Sequence, residues 1–100
     1  INIAQRLLAI GELQQAKKVI TSINKTSLSD KLYADYSLTA SDIFLAEQSL
    51  FSAKSLLSDS KFTQLLDTLS IQQQIRFHRN RATLFEQIGD VLMILYCKIG

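Results

Sequence analysis

The chain has 100 residues, 47% of them hydrophobic, with three glycines, no proline and no tryptophan. So few chain breakers exclude collagen-like and proline-rich disordered chains and argue against turn-rich β sandwiches and barrels. Eleven Lys and Arg against nine Asp and Glu give a net charge of +2, too little for a dedicated nucleic-acid binder, whose affinity rests on many phosphate contacts.

Sixteen Leu and eleven Ile can supply one compact core, so the sequence predicts a single all-α domain over residues 1–100. Helical periodicity recurs six times between short polar breaks. A first segment over 2–10 places Ile3, Leu7 and Ile10 on one face, and Gly11 closes it. A second over 13–23 carries Leu13, Ala16, Val19, Ile20 and Ile23, and Asn24-Lys25-Thr26 breaks it. The third opens on Ser27 with Asp30 three residues on, the pattern of a capping box, and its stripe is Leu28, Leu32, Tyr36, Thr39 and Ile43.

A fourth segment over 50–58 presents Leu50, Ala53, Leu56 and Leu57, and Phe62 to Leu69 suggest a short extra turn. Ser70 with Gln73 forms a second capping box ahead of a fifth helix reaching Ile88. Its predicted apolar stripe is Ile75, His78, Ala82 and Phe85, with Phe77, Leu84 and Ile88 on the next. Gly89 and Asp90 are expected to end it, and 91–99 to form a sixth helix.

An internal repeat runs through these segments. Gly11-Glu-Leu13-Gln-Gln-Ala16 aligns with Gln48-Ser-Leu50-Phe-Ser-Ala53 and with Gly89-Asp-Val91-Leu-Met-Ile94, at intervals of 37 and 41 residues. A turn residue lets the chain reverse, an apolar residue two on starts the buried face, and a small residue five on lets the helices approach. The pattern resembles the inter-helix turn of tetratricopeptide repeats, with longer units than their roughly 34 residues. The closing proline is missing, Gln48 stands for the turn glycine and Ile94 for the small residue. The expected architecture is a TPR-like stack of about three helical hairpins, an α-α superhelix.

Two segments resemble a more particular family. Ala4-Gln-Arg-Leu-Leu-Ala-Ile-Gly11-Glu-Leu-Gln-Gln-Ala16 is similar to the opening helical pair of the LppC/LpoA lipoproteins, the outer-membrane activators of penicillin-binding proteins in Gram-negative bacteria. Arg76-Phe-His78-Arg-Asn-Arg81-Ala82, running on to Gly89-Asp90 behind Gln72-Gln73-Gln74, resembles that family's aromatic-His-x-x-Arg-Ala helix and its glycine turn. The middle, 28–69, matches only as helix-turn-helix. The resemblance implies the amino-terminal TPR-like domain of a lipoprotein at the periplasmic face of the outer membrane. Anchor and signal would lie upstream and a periplasmic-binding-protein-like domain downstream. It also implies a non-catalytic binding or spacer role in peptidoglycan synthesis, with a penicillin-binding protein, another cell-wall factor or peptidoglycan as partner. The alternative is a cytoplasmic TPR-like adaptor that binds a peptide or protein. A start at Ile1 agrees with a piece of a longer protein, and no run approaches the roughly 18 apolar residues of a membrane span.

Candidate sites are few. Arg76, Arg79 and Arg81 are the only basic cluster, and a helix puts Arg76, Arg79, Asn80, Thr83 and Gln87 on one polar face. That face reads as a partner-binding surface for an anionic partner (nucleic acid, lipid headgroup or cell-wall polymer), or as an ordinary solvated face, with Arg81 resting its stem on the core and pairing with an acid. His78 is the single histidine, with no second ligand or base near it, and is expected to be packed and hydrogen-bonded. Cys97 is the single cysteine and reads as a core thiol. The run 91–97 is apolar all round and would bury itself against a following helix or in a dimer. No carboxylate pair, phosphate loop or metal spacing stands out, so no enzyme activity, metal or cofactor is expected.

Overall fold

A computed structural model describes the backbone of residues 2–99 and the side chains of residues 2–90. The chain forms α1 (Asn2–Ala9), α2 (Leu13–Thr21), α3 (Asp30–Ala46), α4 (Leu50–Leu57), α5 (Ser60–Gln64) and α6 (Ile71–Ile99). Short 3₁₀ turns cover Lys25–Ser27 and Leu66–Thr68, and the described residues contain no strand. The architecture is all-α, a stack of helical hairpins: α1 packs on α2, α3 on α4, and α6 lies against α3 and α4.

The two hairpin turns share one geometry. Gly11 has φ +84° and Gln48 φ +62°, both in the left-handed region. At the first turn the Gly11 amide donates to Leu8 O at 3.1 Å and the Glu12 amide to Leu7 O at 2.8 Å. At the second, the Gln48 amide donates to Leu45 O at 3.1 Å and the Ser49 amide to Phe44 O at 2.8 Å. Such paired bonds satisfy the last carbonyls of a helix that ends on a left-handed residue. Five positions on, Ala16 and Ala53 are both 0% exposed, so each hairpin closes over a buried methyl. The 37-residue repeat is therefore structural as well as sequential.

The third turn does not form. Gly89 lies inside α6, which runs unbroken for 29 residues, about 44 Å at 1.5 Å per residue. Mid-helix glycine costs only about 0.5–1 kcal/mol, and no proline or polar cluster follows Asp90 to stop the helix. The expected separate helix over 91–99 is thus the end of α6, and a dimer contact there concerns side chains outside the described ones. The first capping box also shifts: Ser29, not Ser27, caps α3 and accepts from the Leu32 amide. The second forms as read, the Ser70 amide donating to Gln73 Oε1 at 3.0 Å and the Gln73 amide to Ser70 Oγ at 3.2 Å.

Helix α3 is the hub. Alanine and serine at 34, 37, 40 and 41 keep it slim, and it contacts α1, α2, α4, α5 and α6. One core joins Tyr33, Leu38, Leu45, Leu57, Phe62, Phe77 and Leu84; the other joins Ala4, Ala16, Ile20, Ala40 and Ile43. Phe62 closes the first core from the inserted α5, its ring edge-on to Phe77 at 5.6 Å. Two expected stripes are turned: Ala4 is buried in α1 while Ile3 and Ile10 face solvent, and Leu32 is exposed beside buried Tyr33.

Candidate functional site

Helix α6 carries the residues that the sequence singled out, and the structure divides them. Its inner face is polar at three turns and is fastened to α3. Gln73 Nε2 donates to Asp35 Oδ1 at 2.7 Å. The Arg76 guanidinium donates to Asp42 Oδ2 at 3.0 Å and lies 3.4 Å from Thr39 Oγ1. Asn80 is 3% exposed, and its Nδ2 donates to Ser41 Oγ at 2.9 Å and to Leu38 O at 3.4 Å. Thr39 also accepts from Gln5 Nε2 at 3.0 Å, which ties α1 into the same seam.

The expected partner surface of Arg76, Arg79, Asn80, Thr83 and Gln87 is therefore not one surface. Asn80 is buried, Arg76 is half-buried in its ion pair, Thr83 and Gln87 are half-buried, and only Arg79 is exposed. Polar residues sit inward here because α3 presents hydroxyls and carboxylates at matching heights. Burying a polar group is tolerable when it is hydrogen-bonded.

Of the two stripes read as apolar, the one through Phe77, Leu84 and Ile88 packs into the core, and the other is the outer face. Ile75 is 60% and Phe85 55% exposed, and His78 and Ala82 are exposed beside them. His78 is thus a solvent-facing ring 5.4 Å from the Phe77 ring, not a packed, hydrogen-bonded residue. Cys97 lies outside the described side chains.

Between α4, α5 and α6 an open groove is floored by Leu57, Leu66, Phe77 and Leu84, with Phe85 as one wall. Lys54 and Arg81 line it as two cations, with the hydroxyls of Ser58 and Thr63. The Arg81 guanidinium stacks 5.4 Å over the Phe85 ring, which holds it at the groove. Neither cation pairs with a carboxylate among the described residues, so Arg81 does not make the expected acid pair. Lys54 was not singled out in sequence, because the groove arises only when α4 and α6 meet. Chemically, the groove suits an apolar side chain carried on an acidic segment.

At the start of α5, Tyr33 donates to Asp59 Oδ2 at 2.8 Å, the same oxygen that caps α5 through the Phe62 amide. Burial first, then the hydrogen bond and charge of Asp59, push the Tyr33 hydroxyl up to about 12. Lys61 Nζ sits 4.4 Å over the same ring. Burial also raises Tyr36. Among the described residues no group of three or more His, Cys, Asp or Glu is placed to hold a metal, and no helix is long and apolar enough to cross a membrane. Compared with known proteins, the chain matches no family model, no curated protein and no solved structure.

Proposed function

We propose that the chain is a non-catalytic helical-hairpin domain that binds or spaces a protein partner in peptidoglycan synthesis. In this reading it is the amino-terminal domain of an LppC/LpoA-type lipoprotein, at the periplasmic face of the outer membrane. The observation that carries the binding role is the apolar groove between α4, α5 and α6 with Lys54 and Arg81 along it. Apolar floors with a few convergent polar groups are where ligands bind, and unpaired cations there select for an acidic partner. The assignment to cell-wall synthesis rests on the resemblance of residues 4–16 and 76–90. The glycine turn belonging to the second segment is absent, since Gly89 is helical.

The test is calorimetric titration of the purified chain with a purified penicillin-binding protein and, separately, sedimentation with isolated cell wall. The reading predicts saturable binding to the synthase that weakens about tenfold or more in K54E/R81E, the size of effect lost charge pairs produce at an interface. Binding to neither, with both proteins folded, contradicts it and favours a TPR-like adaptor with a different partner.

A further inference from the structure

The groove between α4, α5 and α6 also says what chemistry its occupant carries. Its two hydroxyls already donate their protons to the chain itself: Ser58 Oγ to Lys54 O at 2.6 Å, and Thr63 Oγ1 to Ser60 O at 3.0 Å. A hydroxyl has one proton and two lone pairs, so each offers the groove only an acceptor. Lys54 and Arg81 are the reverse, donors with no acceptor. Both are exposed, neither is in an ion pair among the described residues, and no carboxylate lines the groove. The lining thus calls for three things in one ligand: an apolar body for the floor, carboxylates for the cations and N–H donors for the hydroxyls.

An alkyl carboxylate supplies the first two and lacks the third. A helix offered by a partner lacks it too, because its interior amides are bonded to its own carbonyls. An extended peptide has all three, with main-chain amides able to donate along its length. The size agrees. The groove holds about 330 Å³, whereas an apolar cavity of about 150 Å³ is enough for a benzene ring. One large side chain and the main chain on either side of it would fill it.

We propose that the groove takes an extended peptide segment in which one large apolar residue is flanked by acidic ones. Ser58 and Thr63 accept from its main-chain amides, and Lys54 and Arg81 meet its carboxylates. This rests on the binding role of the groove given above, and not on the assignment to cell-wall synthesis.

Calorimetric titration of the purified chain with the blocked peptide acetyl-Gly-Glu-Phe-Glu-Gly-amide tests this. Saturable binding is expected, and no saturation up to roughly 1 mM peptide overturns the proposal. Replacing the peptide's Phe with Ala, or both its Glu with Gln, should weaken binding tenfold or more. N-methylation of its three central amides should do the same, since it removes the donors and keeps the charge and the apolar surface. Decanoate, an alkyl carboxylate without amides, should bind at least tenfold more weakly than the peptide. Decanoate binding as tightly as the peptide, or undiminished binding of the N-methylated peptide, overturns the proposal. On the protein side, S58A/T63V should lower peptide affinity several-fold with an unchanged circular dichroism spectrum, and unchanged affinity overturns it. If the peptide does not bind while K54E/R81E still weakens binding of a penicillin-binding protein, only this proposal falls. If K54E/R81E leaves that binding unchanged as well, the groove's binding role falls with it.

Discussion

At the residue scale, the clearest lesson is that two turns of one geometry are built from different residues. Gly11 adopts its φ of +84° without steric cost, whereas Gln48 at +62° bears a Cβ in a region that disfavours it by roughly 1–2 kcal/mol. Replacing Gln48 with Gly should stabilise the chain by about 1 kcal/mol and raise its melting temperature by roughly 4–8 °C, read by calorimetry. Replacing Gly11 with Ala should lower it by a comparable amount, although nothing lies within 4 Å of the added methyl. Tyr33 gives a pH signature. Its hydroxyl titrates near 10 when unfolded and about 12 when folded. The stability this supplies is whole below pH 10 and is lost as pH rises from 10 towards 12. Denaturant melts should show that fall in the wild-type chain and a smaller one in Tyr33→Phe.

At the element scale, α6 is where local pattern and tertiary structure part. Its hydropathy offers two stripes: the one through Phe77 and Leu84 is buried, while the one through Ile75 and Phe85 faces out. Beside the buried stripe runs a polar one through Gln73, Arg76 and Asn80, whose partners Asp35, Asp42 and Ser41 sit on α3. A helix read alone cannot show those partners, which lie 34 to 39 residues away in sequence. What depends on neighbours within a few residues was legible: the all-helical class, the Ser70–Gln73 box, the turn equivalence of Gly11 and Gln48, and the extra turn about Phe62. Asn80→Ala should therefore cost about 1–3 kcal/mol by leaving the buried Ser41 hydroxyl without the amide that donates to it. Arg79→Ala should stay within about 0.5 kcal/mol. Gly89 separates the two readings of the chain's last third. Within a continuous α6, Gly89→Ala should stabilise by about 0.5–1 kcal/mol. A reverse turn there would make the same change destabilising.

At the scale of the whole molecule, two repeated hairpins and one long helix share α3 as their common wall. Where α4, α5 and α6 meet they leave an apolar groove lined by Lys54 and Arg81. The repeat thus makes the scaffold, and the departure from the repeat makes the site. The polar seam fixes α6 in place, and the proposed binding role falls to the groove. Amide chemical-shift mapping of the labelled chain during titration with a penicillin-binding protein tests this division most directly. The account predicts shifts confined to the groove, at Lys54, Leu57, Ser58, Leu66, Arg81 and Phe85, with Asp35, Asp42, Arg76 and Asn80 still. Shifts running along Arg76, Asn80, Thr83 and Gln87, or no shifts at saturating partner, would contradict it.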